Sequence, residues 1–431
     1  MLTSTRQQNI SEIRTKKGHS RTRIKGIEEI LFPMSKEDFF NNYWEKKPLL
    51  ISREDEDYFS DLFSIKTIDK LFSRKDLFYP EVRVFQEGAE LPADKFTCDW
   101  VYGSDEYKGI IDIEKILDLY SQGATFDFRL IERFHKPMML LCKKLEQQIG
   151  FAVDASAFLT PFTSVHHIQA HHDIVDGLIL QVGGVKRWKV WRNRYEKPMI
   201  EDKYFERTAN PKEEDLVGEF ILYPGDTLYV PSGFVHLAEP VNDFSLHVTL
   251  AIHTPRWNHL FLKLARDILE ELQDDPRFRK SLPLQLKDDS SRIFRESSEQ
   301  SFSELLNEFS KRLDFRRGIK MIRQNLLVGS YPSRPGQILD IANIGSLNGN
   351  SRLHIRDTIV SSISESEKKI QLEFQDKVLS FPQAISDAIR FVSSGNSFLV
   401  KEIPGLADMS SQLILVKRLV KEGFLTTISS K

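Results

Sequence analysis

The sequence predicts an α+β protein on a mainly β core, an antiparallel barrel or double-sheet jelly roll, with helices before and after it in the chain. Three observations carry that expectation. Between about 151 and 253, short β-rich runs alternate with turn signals: "AFLTPF", "LILQV", "KRWKVW", "EFILYPGDTLYVPSG" and "SLHVTLAI". On either side of that stretch, apolar residues recur at spacings of three and four. Near the end, "SSQLILVKRLVKEGFLTTI" reads as a helix, a glycine stop at Gly423 and a terminal strand, the order of a winged helix.

In chain order, residues 1–30 form a basic, polar arm that is expected to be flexible. "SKEDFFNNYWEKKPLLI" then reads as a helix with Ser35 as N-cap, Asp38 three residues on, and Phe39, Phe40 and Tyr43 as its apolar face. Pro48 ends it and "LLI" begins a strand. "FRLIERFHKPMMLLCKKLEQQIG" has helical spacing and closes at Gly150. Within the β region, Gly183-Gly184 reads as a tight hairpin and Pro224-Gly225-Asp226 as a second turn. Trp257, Leu260, Phe261, Leu264, Ile268 and Leu272 make the face of a later helix, and Leu305, Phe309 and Leu313 repeat the theme. A loop rich in Gly, Ser, Pro and Asn follows at roughly Val328–Ser351. The expected domains are the arm at 1–30, a β-core domain with its lead-in at 31–255, a helical region at 256–350 and a winged-helix-like domain at 351–431.

Composition narrows the function classes. The chain has 431 residues, 40% hydrophobic and 28% charged, enough for two or three domains with real cores. A net charge of −2 exerts no global pull toward nucleic acid or anionic lipid. No apolar run approaches the ~20 residues that span a bilayer, and the N-terminus lacks the apolar region of a secretory signal. Cys98, beside Trp100, and Cys142, in a helical pattern, are expected in the core rather than in a disulfide. A reducing, cytoplasmic setting is expected.

The densest chemistry lies in "AHHDIVDGLILQVGGVKRW". Side chains alternate along a strand, so His171 and Asp173 share one face and His172 takes the other. An imidazole and a carboxylate side by side occupy two corners of an octahedral metal site. The third ligand is expected from His236 in "GDTLYVPSGFVHLAEP", where turns at Gly225-Asp226 and Pro231-Ser232-Gly233 bracket a strand. Two histidines and one carboxylate, with three positions open, form the facial triad of non-haem Fe(II) oxygenases. A lone H-x-D arises often by chance, and His166, His167, His172 and His247 compete as ligands. His166 and His167 read as loop residues, and His247 as an interior residue that does not bind metal. Lys186 keeps two readings: an ammonium inside the barrel that pairs with an anion, or a solvated residue at a hairpin tip.

On these motifs the sequence resembles the JmjC-type 2-oxoglutarate oxygenases, in particular the ribosomal oxygenases, a cupin-like family with a double-stranded β-helix. "YWEKKPLLI", "GATFDFRLIERFHKP", "FLTP", "AHHDIVDGLILQVGGVKRWKVW", "YPGDTLYVPSGFVHLAEP" and "SLHVTL" resemble that family's successive segments. The resemblance implies His171, Asp173 and His236 as iron ligands, Lys186 as the anchor for the far carboxylate of 2-oxoglutarate, and Ser156 as a residue near that co-substrate. It implies Fe(II), 2-oxoglutarate and O2 as requirements, a homodimer through the helical region, and hydroxylation of a side chain in a protein or peptide, most plausibly a ribosomal protein. "FTSVHHIQA" departs from the family's Gly-rich segment and His172 from its usual middle residue, both at the mouth of the site.

Three alternatives stand beside this reading, the first of them left open by those departures. One is a tailoring hydroxylase of a small peptide or other biosynthetic intermediate. Another is a non-catalytic interaction or nucleic-acid-binding protein working through its winged helix, although "VKRLVKEG" mixes charges and lacks a phosphate-binding footprint, so direct DNA binding is not expected. A cupin using another metal is a third.

Overall fold

A computed structural model of the chain describes residues 12–15, 24–74, 76–162, 168–192, 196–199, 209–282, 292–329, 334–375 and 377–428. It divides into two compact units, Met1–Thr254 with Ile355–Val360, and Pro255–His354 with Ser361–Lys431.

The first unit opens with β1 (Glu12–Thr15), which pairs parallel to β2 (Leu49–Arg53). Part of the arm is therefore a strand, where its polar composition predicts flexibility. Helix α1 (Ile27–Leu31) and helix α2 (Lys36–Asn42) lie between them. Ser35 caps α2 as its sequence predicts, its hydroxyl oxygen accepting the Asp38 N–H at 3.1 Å. Arg53 staples the lead-in to the barrel: its buried guanidinium donates to the carbonyls of Ile30, Phe32 and Gly225 and to Thr227 Oγ1.

Next come α3 (Ile65–Phe72), β3 (Val82–Gln86) and β4 (Ala89–Glu90), then the two-stranded ribbon of β5 (Thr97–Tyr102) and β6 (Asp105–Ile111). This ribbon has solvent on most of its surface, so Cys98 is exposed and its neighbour Trp100 is 55% exposed, contrary to the expected core placement. A lone ribbon has no second layer to bury it. Cys142 is buried as expected. Helix α4 (Ile113–Ser121), β7 (Thr125–Phe128) and α5 (Lys136–Ile149) follow, α5 ending on Gly150 in the left-handed conformation.

The β core comprises β8 (Ala152–Thr160), β9 (His171–His172), β10 (Asp176–Trp191), β11 (Leu216–Leu222), β12 (Thr227–Val230) and β13 (Val235–His253). Among the described residues the strands order as β1-β2-β12-β10-β13-β8-β7-β3-β4, with β11 beside β10 and β9 beside β13. Strands β10 and β13 are long enough to belong to both halves of the jelly roll. Residues 176–184 of β10 pair with 245–252 of β13, and 186–191 pair with 235–240.

Gly183-Gly184 is therefore not a hairpin. It is the bend where β10 passes from one half to the other, through register shifts at Gln181/Gly183 and Gly184/Lys186. Gly184 has φ +62°, and a Cβ there would lie 1.6 Å from the Phe244 carbonyl oxygen. The buried Gln181 amide pins the bend, donating to the carbonyls of Gly183 and Gly184 and to Ser245 Oγ. The bend also reverses parity. Gly177 and Ile179 face the cavity before it, Lys186 and Trp188 after it, and along β13 His236 and Ala238 give way to His247 and Thr249.

In the second unit, α6 (Trp257–Glu271) buries Leu260, Leu264 and Ile268, and Leu272 follows; Phe309, Ile319 and Ile322 pack against them. Trp257 and Phe261, expected on the same face, are exposed, because the packed stripe is narrower than the apolar one. Helices α7 (Arg292–Ser310) and α8 (Phe315–Gly329) supply the partners. The loop expected at 328–351 contains α9 (Gln337–Ala342), whose buried Asp340 accepts from the hydroxyls of Thr426 and Thr427. Strand β14 (Arg352–Ile355) precedes an antiparallel meander of β15 (Ser361–Glu365), β16 (Lys369–Phe374) and β17 (Lys377–Pro382). Helix α10 (Ser386–Val392), β18 (Phe398–Leu399), α11 (Met409–Glu422) and β19 (Leu425–Thr427) complete the unit. Strands β18, β14 and β19 form a small sheet, and α11 stops at Gly423 as the sequence predicts.

Gly184→Ala is expected to lower the unfolding free energy by at least about 3 kcal/mol, since it combines a disfavoured φ with a backbone clash. Urea unfolding of the purified variant checks this, and a loss below about 1 kcal/mol would contradict the account of the bend.

Candidate metal centre

His171 and His236 sit directly opposite each other in the β9–β13 pairing. Their rings come within 4.4 Å, centroid to centroid. The Nδ1 atom of His171 contacts the Gln169 carbonyl at 2.8 Å, and Nδ1 of His236 contacts that of Phe234 at 3.1 Å. A carbonyl only accepts, so Nδ1 carries the proton in both rings and Nε2 keeps its lone pair. Backbone carbonyls orient metal-ligating histidines in this way.

Asp173 completes the group. One donor atom from each of His171, Asp173 and His236 lies within 4.8 Å of the others. Asp173 Oδ2 is 3.6 Å from His236 Nε2, too far for a hydrogen bond. Two ligands bound at right angles, each about 2.1 Å from one ion, would stand about 3 Å apart. The donor set, two imidazoles and a carboxylate, fits a divalent transition metal with open positions. His172 is buried and does not line the cavity, as alternation predicts. His166 and His167 lie outside the described residues.

The three groups line a cavity of about 390 Å³ whose wall also carries Lys186, Trp188 and His247. Lys186 is 4% exposed, which excludes the solvated-tip reading. Its Nζ donates to Thr160 Oγ1 at 3.2 Å and lies 3.4 Å from His247 Nδ1. No carboxylate pairs with it among the described residues, and burial pushes its pKa down to about 7. His247 stacks on Phe158, ring centroids 4.9 Å apart. Its pKa is well below the usual imidazole value through burial first, with Lys186 and His236 adding to it, so it is neutral. An ammonium between a hydroxyl and a neutral ring has its charge uncompensated, and an anion entering the cavity would supply what is missing.

Ser156 shares a strand face with Phe158 and Thr160 but lies outside the cavity lining; Thr160 is the β8 residue that meets Lys186. Sequence reasoning passes over Thr160 and its hydrogen-bonded neighbour Thr125. It also passes over Arg83, Glu90 and Asp127, which extend the lining across β3, β4 and β7. Strand alternation from Ser156 could have indicated Thr160; the other residues are distant in sequence and carry no comparable signal.

Comparison with known proteins agrees with this geometry. A family model described as the JmjC domain matches residues 129–260. Ribosomal oxygenase 1 of Danio rerio is 29% identical over 263 residues, covering 59% of this chain and 46% of that protein. The bifunctional lysine-specific demethylase and histidyl-hydroxylase NO66 of Aedes aegypti is 26% identical, covering 66% and 44%. The chain thus spans about half the length of these curated relatives. Ribosomal oxygenase 2 of Bos taurus is 24% identical over 90% of this chain and 89% of its own. Among solved structures, E. coli YcfD superposes with a TM-score of 0.54 at 16% identity, covering 92% of this chain and 99% of that one. Its complex with cobalt and 2-oxoglutarate gives 0.54 at 14% identity.

The buried lysine makes stability pH-dependent. Unfolded, its amine keeps the proton up to the usual 10.5; folded, it gives it up near 7. Between these values the unfolded chain binds more protons, so stability rises with pH, and below about 7 the full cost of the buried charge applies. Lys186→Met should therefore stabilise the metal-free chain most at about pH 6, by on the order of a few kcal/mol, with the gain shrinking toward about pH 10. Urea unfolding across that range checks the sign. A gain that grows with pH would contradict it.

The fold and the geometry of the candidate ligands agree with the match of residues 129–260 to the JmjC domain.

Proposed function

We propose that the chain is an Fe(II)- and 2-oxoglutarate-dependent oxygenase that hydroxylates an amino-acid side chain in a protein substrate, a ribosomal protein by likeness to its relatives. The observation that carries this reading is one cavity holding His171, Asp173 and His236 together with the uncompensated ammonium of Lys186. Bound together, the metal and its co-substrate supply the oxidising power: 2-oxoglutarate, O2 and a C–H bond become succinate, CO2 and a C–OH bond.

The protein's part is placement. His171, Asp173 and His236 would hold the metal by one face and leave the other face to ligands. Lys186 would pair with the distal carboxylate of 2-oxoglutarate, and that pairing restores its proton. Thr160 Oγ1 already accepts from Lys186 and keeps the amine aimed. His247, neutral and stacked on Phe158, fills the space beside Lys186 without adding a competing charge. Trp188, Ile179 and Val230 give the cavity apolar walls that limit water near the reacting centre.

The rest of the chain supports further parts of the same reading. Exposed Trp257, Phe261, Leu262 and Phe315 on α6 and α8 favour self-association into a homodimer. The succession of α9, β14, α10, β18, α11 and β19 favours a winged-helix module after the insertion of the meander. No helix among the described residues is long and apolar enough to cross a membrane.

Purified protein loaded with Fe(II) is expected to release succinate from 2-oxoglutarate and to add one oxygen atom to a ribosomal protein, read by mass spectrometry. His171→Ala should reduce succinate release to background, and Lys186→Ala should raise the KM for 2-oxoglutarate at least about tenfold, the usual cost of losing one buried charged contact. Full turnover by His171→Ala would sink the ligand assignment. A small peptide oxidised in place of any ribosomal protein would favour a tailoring hydroxylase.

A further inference from the structure

Three residues after Asp173 the chain carries a second aspartate, Asp176, that no role above uses. It is fully buried, it does not line the cavity, and it is not part of the metal-ligand group. Its Oδ1 accepts two hydrogen bonds, from the Tyr229 hydroxyl at 2.6 Å and from the backbone N–H of Ser232 at 3.4 Å. Those partners belong to β12 and to the turn that follows it, and Ser232 stands four residues before His236. A backbone bond from Gly233 N–H to the Asp173 carbonyl, 2.8 Å, crosses the same gap.

Tyr229 is itself held in place. Its ring stacks on Trp44 with centroids 5.8 Å apart and meets Phe39 edge-on at 4.8 Å. Its hydroxyl oxygen accepts the Glu45 N–H at 2.8 Å. Burial and the facing Asp176 carboxylate both raise its pKa, so it stays protonated as the donor. The sequence motif "YWEKKP" thereby acquires a physical role, since it supplies both the stacking ring and the backbone donor that fix Tyr229.

We propose that Asp176 is a positioning residue for the metal centre: its carboxylate, held by Tyr229, clamps the segment bearing His171 and Asp173 to the turn that leads into His236. Two of the three ligands belong to one chain segment and the third to another, so their separation depends on whatever joins the two segments. The β9–β13 pairing sets His171 against His236 but ends before Asp173. Between Asp173 and the point where β10 and β12 pair, at Gly177 and Val230, the Gly233 backbone bond and the Asp176 clamp join the two segments. A carboxylate buried in an apolar core is costly unless its hydrogen bonds are well made. The two segments that those bonds join are the ones whose spacing a metal must find preformed.

The inference rests on the metal-centre reading, and Co(II) binding by the full chain tests both. Wild type, Tyr229→Phe, Asp176→Asn and Asp176→Ala are titrated with Co(II), following the ligand-field absorption, with thermal unfolding of the metal-free proteins as the control for folding. Tyr229→Phe is expected to weaken Co(II) binding about tenfold and Asp176→Ala by up to about a hundredfold, each with an altered spectrum. Asp176→Asn keeps an acceptor of the same shape and should recover most of what Asp176→Ala loses. Should Asp176→Ala fail to fold, Tyr229→Phe, which removes one oxygen atom, decides. Wild-type uptake of Co(II) with unchanged affinity and spectrum in Tyr229→Phe overturns the clamp alone. A wild-type chain that takes up no Co(II) overturns the metal reading, and the clamp with it.

Discussion

An ammonium group buried with no carboxylate partner among the described residues is the constraint around which the first unit is organised. A single lysine could have been left at the surface, where its charge costs nothing. Here the bend in β10 turns Lys186 inward, and the matching bend in β13 brings His236 and His247 to face the same space. Two glycines and the Gln181 amide maintain that bend. The buried charge of Lys186 and the imidazole of His236 therefore reach one cavity through one backbone feature, the passage of two long strands between the halves of a jelly roll. A dicarboxylate that chelates a metal through one end and meets an ammonium at the other satisfies both.

Around that cavity the packing is divided by function. Phe39, Trp44 and Tyr229 form a rear aromatic layer away from the cavity lining, while Trp188, Phe158 and His247 form a front layer on the cavity wall. The rear layer belongs to the main hydrophobic cluster and gives the site a rigid support. The front layer lines the cavity and excludes water from Lys186. Beside these layers, polar contacts fix the orientation of single groups: Nδ1 of His171 and His236, Nζ of Lys186, Oδ1 of Asp176.

Much of the site was legible in the sequence, for reasons specific to each residue. His171 and Asp173 share a face because of strand alternation, which is local and needs no tertiary knowledge. His236 follows a strand bracketed by two turns, again a local signal. The direction of Lys186 is not legible locally, because it depends on the register shift at Gly183-Gly184, and a glycine pair reads equally well as a hairpin or as a bulge. Thr160 and Asp176 escaped notice because their importance arises from partners 26 and 53 residues away. Cys98 is exposed against expectation for a related reason: a β-rich pattern says nothing about whether a second layer covers it. The same limit applies to Trp257 and Phe261, whose helix was legible although the width of its buried stripe was not.

The most direct test of the account is calorimetric titration of 2-oxoglutarate into the purified chain with and without Mn(II), at about pH 7 where Lys186 is near its midpoint. The account predicts tight binding only with the metal present, with proton uptake as the amine recharges, and loss of binding in Lys186→Met. Equal affinity with and without Mn(II), or full affinity in the Lys186→Met variant, would contradict it.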